Sequence, residues 1–143
     1  MKTRARRGRL SRSAEFDRVY RQGRSVGNRH LVLYAFPTGD SERPRLGLSV
    51  SRKVGGAVDR NLVKRFLREV FAAREPAMPA GQDLVIVARP EARELAERDG
   101  LAGIDGALHE LFVRVGLAET ASDEAAAGAV GAAAAETGEA GAG

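Results

Sequence analysis

Arg60, Asn61, Lys64, Arg65 and Arg68 recur at helical spacing within one short stretch, and their types suit one chemistry. On a wheel of about 100° per residue with Arg60 at zero, Lys64 falls near ~40°, Arg68 near ~80°, Asn61 near ~100° and Arg65 near ~140°. Leu62, Val63, Phe66, Leu67 and Val70 take the other side. Guanidinium groups match pairs of phosphate oxygens in bidentate geometry, and an Asn among them suits a 2′-hydroxyl or a base edge. A basic helix face is ordinarily just solvated. Here the spacing offers no acid at i±4 on the basic side, and Arg52-Lys53 add two charges at the helix entrance. From Arg43 to Arg68 the chain carries eight bases against one acid, Asp59. A polyanion relieves such crowding, and Gly55-Gly56 before the helix leaves backbone N–H groups to meet it. The expected ligand is a phosphate backbone.

The distribution of charge agrees. The chain has 143 residues and a net charge of +4. Residues 1–118 hold all 23 bases and 14 acids, a balance of +9. Residues 119–143 hold Glu119, Asp123, Glu124, Glu136 and Glu139 and no base, a balance of −5. A basic body points to a polyanionic partner. The absence of cysteine excludes disulfides, cysteine zinc sites, iron–sulfur clusters and thiol nucleophiles, and it suits a reducing cytoplasm. The longest wholly apolar stretch of the body, Leu31–Phe36, is far short of the roughly 20 residues of a membrane span. No apolar segment follows Arg9, so the basic start does not read as a secretory signal.

The elements that must position the basic face follow from periodicity. Residues 1–10 read as a flexible basic arm, 11–117 as the folded domain, and 118–143 as a disordered Ala/Gly-rich acidic tail with too little apolar surface to offset its ordering entropy. A first helix runs from an N-cap at Ser13 to a stop at Gly23, with Phe16, Val19 and Tyr20 on one face. His30–Phe36 reads as a strand, and the turn-rich Pro37–Pro44 suggests a hairpin to a second strand over Arg45–Val54. In that second strand Leu46, Leu48 and Val50 form a core face, while Arg45, Gly47, Ser49, Ser51 and Lys53 point the other way. The second helix starts after Gly55-Gly56 and runs to about Arg74. Asp83–Arg89 is apolar on both faces and so reads as a central strand. Glu91–Arg98 forms a brief helix, and Leu101–Val115 a last one with Leu101, Ile104, Leu108, Leu111, Phe112 and Val115 on one stripe. The order α-β-β-α-β-α predicts a small single α+β domain with helices packed on a mostly antiparallel sheet.

At this point the residues resemble a family. Gly47–Glu69, GLSVSRKVGGAVDRNLVKRFLRE, is similar to the signature of the bacterial ribonuclease P protein subunit: a strand ending in Ser-(Lys/Arg)-Lys, a Gly turn and Ala-Val leading into an Arg-Asn-Arg helix. The likeness covers about Arg9–Gly116 and includes the F-x-x-V-(F/Y) helix at Phe16–Tyr20 and the N-R-x-x-V-L-Y strand at Asn28–Tyr34. One position departs from the pattern. The third signature residue is usually basic, whereas this chain has Leu62, at the edge of the packed side where it extends the core.

The resemblance implies a fold similar to domain 2 of ribosomal protein S5, with a left-handed βαβ crossover. It implies a ribonucleoprotein that removes the 5′ leader of precursor tRNA by endonucleolytic cleavage. The catalytic Mg²⁺ ions belong to the RNA subunit rather than to a protein site. On this chain the RNA-subunit contacts fall to Arg52, Lys53, Arg60, Asn61, Lys64, Arg65 and Arg68. The leader-binding cleft falls to Phe16, Tyr20, Val32 and Tyr34, with Ser49 and Ser51 letting RNA approach the strand. Aromatic rings stack on unpaired bases of any identity, which suits variable leaders. The same Phe16 and Val19 also read simply as pins of the first helix to the sheet. The implied partners are the catalytic RNA and precursor tRNA, with no membrane and no obligate protein partner inferred.

No catalytic constellation is legible in the chain itself. His30 and His109 have no partner pattern, and Asp59 and Glu69 stand about 15 Å apart along their helix, too far to share a metal. The expected contribution is therefore electrostatic: strengthening substrate binding and lowering the Mg²⁺ requirement of the RNA. Two other readings fit a basic α+β domain. One is a general or ribosomal RNA-binding protein of the same fold, and the other an autonomous metal-dependent ribonuclease.

Overall fold

The structure, a computed structural model, describes Arg9, Leu10 and residues 13–118. The expected tail after Ala118 and most of the expected arm lie outside the described residues. Leu10, the last residue of that arm, is buried, and its N–H donates to the Leu46 carbonyl oxygen at 2.9 Å. It belongs to the fold because it is a large apolar residue with a sheet edge beside it.

Eight elements follow in order: α1 (Ser13–Gln22), β1 (Arg24–Gly27), β2 (Leu31–Pro37), β3 (Arg45–Ser49), α2 (Ala57–Arg74), a 3-10 turn (Glu75–Ala77), β4 (Gln82–Ala88) and α3 (Glu91–Val115). They form the expected small α+β domain. The four strands make one sheet in the order β1-β2-β4-β3, antiparallel except for the parallel β3–β4 pair.

The expected hairpin between the second and third strands does not form. β4 lies between them, paired antiparallel to β2 from Leu31↔Ala88 to Pro37↔Gln82 and parallel to β3 from Arg45↔Asp83 to Ser49↔Val87. The reason lies in β4 itself. Leu84, Val85 and Ile86 are fully buried, so both faces need cover and both edges need partners. The β3–α2–β4 segment is accordingly a parallel crossover, and the Pro37–Pro44 connection is tied instead to Gly81 by Thr38 N–H to Gly81 O and Gly81 N–H to Glu42 O, both 2.7 Å.

The third strand is also shorter than its alternation suggests. It stops at Ser49, because the chain turns at 51–55: Val54 N–H donates to Ser51 O, Gly55 N–H to Arg52 O, and Lys53 N–H to the Ser51 hydroxyl. β1 has one large apolar residue, Val26, and no periodic signal. It exists because its whole length pairs with β2. Asn28 closes the turn between them, its Oδ1 accepting from the His30 and Leu31 N–H groups and its Nδ2 donating to Ala107 O on α3.

The large core lies on one face of the sheet. Leu31, Leu33, Ala35, Leu46, Leu84, Ile86 and Ala88 meet Val63, Leu67, Val70 and Phe71 of α2 and Ile104, Leu108, Leu111, Phe112 and Val115 of α3. Each large side chain buried there contributes about 1.5–3 kcal/mol. α3 breaks at Gly100, with φ 64° and ψ −150°, so its two halves match the two expected helices. The break leaves Leu101, expected on the buried stripe, 40% exposed at the start of the second half.

Candidate RNA-binding site

The other face of the sheet is read most easily as three rows set by the strand register. The first is Phe36–Asp83–Arg45, the second Tyr34–Val85–Gly47, and the third Val32–Val87–Ser49. α1 packs over the first two. Val19 is fully buried in a small cluster with Leu10 and Val85, and Phe16, Tyr34, Phe36 and Val87 pack around it. Phe16 lies directly over Gly47, where an added Cβ would stand 2.6 Å from Phe16 Cζ. The other end of α1 is equally close to the sheet: a Cβ on Gly23 would meet the Val19 and Ala35 carbonyl oxygens at 2.6 and 2.7 Å.

A pair of charges is buried in the first row. Arg45, 4% exposed, donates from Nε and Nη2 to the Asp83 carboxylate at 3.1 and 2.9 Å, and from Nη1 to Glu15 of α1 at 3.1 Å. Arg18, one turn further along α1, places Nη2 3.7 Å from Asp83 Oδ2 and its guanidinium carbon 5.5 Å from the Phe36 ring centre. Burial by itself would lower the Arg45 pKa, but the bonds and charges of Asp83 and Glu15 outweigh it and raise the pKa above its ordinary value. Arg45 is therefore not the free basic residue its alternation suggested. The signal that could have found this pairing is Asp83, an acid opening a wholly apolar strand.

The third row stays half-buried, and beside it run the aromatics. Tyr20 and Tyr34 meet edge to face with ring centres 4.9 Å apart, and Phe16 and Tyr20 are 6.3 Å apart. Tyr20 is 37% exposed. Phe16, Tyr20 and Tyr34 thus meet where α1 packs on the sheet, with Val32 and Ser49 in the neighbouring half-buried row. Ser51 does not join its floor, because β3 has ended and the residue sits exposed in the following turn. Two residues not singled out from the sequence flank the same row. Val87 completes its floor, and Arg89 lies beside Gly27 at the β1 end, its Nη2 3.3 Å from where a Gly27 Cβ would be.

Beyond the Ser49 end of the row the chain enters α2. Its polar side presents Asn61, Arg65 and Arg68 to solvent and Arg60 and Lys64 partly, with Arg52 and Lys53 exposed in the preceding turn. Arg60 Nε donates to the Gly55 carbonyl oxygen at 3.2 Å, which fixes that side chain against the turn. The expectation that no acid pairs with this face needs correction. Glu69 lies at i+4 from Arg65 and reaches it at 3.6 Å, since its position near ~180° borders the basic side. Arg43 is likewise engaged, by Glu75 at 2.6 and 3.1 Å. Leu62 and Phe66 pack against the core from the helix edge, as expected of Leu62.

Acids do not gather. Among the described residues no three of His, Asp and Glu form a cluster that could hold a metal ion, and no helix is long and apolar enough to cross a membrane. His30, half-buried, has its pKa lowered by burial and then by Arg29 and Arg98.

Known proteins resemble this one over most of the chain. The family model described as Ribonuclease P matches residues 5–112. The ribonuclease P protein component of Halalkalibacterium halodurans is 46% identical over 87 residues, 61% of this chain and 73% of that protein. That of Bacillus pumilus is 40% identical over 89 residues, 62% and 75% respectively. Among solved structures, the RNase P protein from Thermotoga maritima superposes with a TM-score of 0.68 at 32% identity, covering 76% of this chain and 98% of that one. The Staphylococcus aureus protein gives 0.67 at 34% identity, covering 73% and 92%. The chain belongs to the ribonuclease P protein family, the protein component of a tRNA-processing endoribonuclease.

Proposed function

We propose that this protein subunit acts by holding two RNAs at once: the catalytic RNA along the basic side of α2, and the 5′ leader of precursor tRNA in the cleft between α1 and the sheet. Arg52, Lys53, Arg60, Asn61, Lys64, Arg65 and Arg68 contact the RNA subunit. Phe16, Tyr20, Val32, Tyr34 and Ser49 line the leader cleft, with Val87 on its floor, Arg89 at one end and Ser51 at the exit toward α2. The observation that carries this reading is a set of half-buried aromatics between α1 and the sheet and an exposed, largely basic face on α2, linked in the chain through the Ser49–Lys53 segment. Unpaired bases stack on exposed tyrosine rings without regard to sequence, and phosphates meet the cations as the strand leaves the cleft.

The chemistry of cleavage belongs to the partner RNA. Among the described residues the carboxylates do not suit a two-metal centre, because they are dispersed or tied to arginines, as in Arg45–Asp83 and Arg74–Asp105. Mg²⁺ is then held by the RNA, and the protein's cations lower the concentration the RNA needs by screening phosphate repulsion. The expected setting is the cytoplasm.

The test mixes the purified chain with its cognate catalytic RNA and a leader-bearing precursor tRNA at low Mg²⁺. Stimulated release of the leader is expected. No stimulation would overturn the reading in favour of a general RNA-binding protein, and cleavage by the protein without RNA would replace it with an autonomous nuclease.

A further inference from the structure

We infer that the buried Arg45–Asp83 pair, together with Glu15 and Arg18, is a positioning device that sets the register of α1 and so the width of the aromatic cleft. The inference rests on the leader-binding reading above and names residues that need not touch RNA.

The observations are geometric. Arg45 and Asp83 face each other across the parallel β3–β4 pair, and both are almost wholly withdrawn from solvent. Two α1 side chains, three residues apart, converge on that pair: Glu15 on Arg45 at 3.1 Å and Arg18 on Asp83 at 3.7 Å. Two further contacts of α1 are of a different kind. Val19 against Val85 and Phe16 over Gly47 are apolar, and apolar surfaces tolerate a small slide or roll of the helix. The directional bond from Arg45 Nη1 to Glu15 does not, since a shift of an ångström or so breaks it and leaves a donor inside the fold without its acceptor. The row order matters as well. With α1 fixed over Phe36–Asp83–Arg45, Phe16 falls over the second row and Tyr20 meets Tyr34 at its edge, while Val32–Val87–Ser49 stays half-buried. A displacement toward the third row would fill the cleft, and one away from it would separate the two tyrosines.

The chain carries its own reporter of this arrangement. It has two tyrosines and no tryptophan, and the two tyrosines are the pair in contact between α1 and β2. The tyrosine band of the near-UV circular dichroism spectrum therefore reports the α1–sheet spacing, while the far-UV spectrum reports whether the fold is intact.

The experiment compares Glu15→Gln/Arg18→Gln, which leaves the buried pair untouched, with Tyr20→Ala and the unaltered chain, each assembled with the catalytic RNA. Affinity is measured for precursor tRNA with its leader and for the same tRNA without it. The double variant is expected to lose the tyrosine band with an unchanged far-UV spectrum, and to lower the leader-dependent affinity ratio roughly five-fold or more, the low end of one aromatic–base stack. Binding to leaderless tRNA and to the RNA subunit stays as it was. An unchanged ratio in the double variant, with a reduced ratio in Tyr20→Ala, overturns the positioning role and leaves leader binding standing. An unchanged ratio in Tyr20→Ala itself would instead overturn leader binding. Equal losses for both substrates also overturn the inference, because α1 would then be supporting the fold at large. Arg18→Gln alone, at a half-exposed residue, serves if the double variant does not fold.

Discussion

Gly47 of β3 lies beneath Phe16 of α1 so closely that a single added carbon would stand 2.6 Å from Phe16 Cζ and 2.9 Å from Cε2. The small residue is what allows an aromatic ring to rest on the strand. Gly47→Ala is expected to tilt the ring toward the cleft and to cost about 1–3 kcal/mol, as overpacked sites do. Thermal unfolding checks the cost, and the affinity for leader-bearing substrate should fall with it. Retained stability together with retained leader affinity would show that the strand gives way instead of the ring.

The cations of α2 divide into two classes. Arg68 faces solvent and Arg60 and Lys64 do so in part, whereas Arg65, although exposed, shares its charge with Glu69 at 3.6 Å. Replacing Arg60, Lys64 and Arg68 with Ala should flatten the salt dependence of RNA-subunit binding by up to about one unit of slope per lost phosphate contact. Arg65→Ala alone should change the slope less. Titrations at several salt concentrations distinguish the two, and equal slopes for the triple variant and the unaltered chain would exclude a phosphate role for this face.

Two ionisable groups shape the acid side of the stability curve. Arg43 donates two hydrogen bonds to Glu75 and holds its carboxyl below the ordinary value of 4.5, against the opposing effect of burial. A carboxylate with a depressed folded pKa contributes stability above its unfolded pKa and loses it as the pH falls through the folded one. Burial lowers the His30 pKa from 6.5, with Arg29 and Arg98 adding to it. The unfolded chain therefore takes up that proton first, so stability declines as the pH drops below 6.5. Melting temperature against pH should fall in two stages. His30→Asn should flatten the upper stage and Arg43→Ala the lower one.

Gly100 interrupts α3 with φ 64° and ψ −150°, a backbone region almost closed to residues with a Cβ. An added methyl meets nothing within 4 Å, so the penalty of Gly100→Ala is conformational rather than steric packing. It should amount to about 1–3 kcal/mol and be visible in denaturant unfolding. Stability equal to that of the unaltered chain would mean the two halves of α3 can fuse into one straight helix.

How much of this was legible in the sequence follows from what kind of force sets each part. α1, α2 and both halves of α3 were readable because an amphipathic stripe leaves its period in the chain, and Leu62 was correctly assigned to the packed edge on the same ground. Pairing was not. Pro37–Pro44 has the composition of a hairpin turn, yet β2 and β3 are separated by a strand that begins almost 40 residues after the turn would close. No local pattern carries that information. The Arg45–Asp83 pair was missed for the same reason: it spans 38 residues of sequence, and Arg45 alternates with Ser49 just as a solvent-facing cation would. Glu69 was overlooked because the border of a helix face is broader than a wheel angle implies. The basic face and the aromatics were legible as residue types, while their meeting across one cleft depended on a register that only the sheet defines.

The position of β4 between β2 and β3 has a consequence for how the molecule comes into being. Neither of those strands has a partner that can hold it in place until residues 82–88 have been synthesised, since β2 can pair beforehand only with the four residues of β1. Both walls of the cleft and the root of α2 thus wait on the same late segment. The complete sheet, and with it the placement of α2 against β3, therefore closes through contacts distant in sequence, which makes β4 the segment on which cooperative folding of the domain depends.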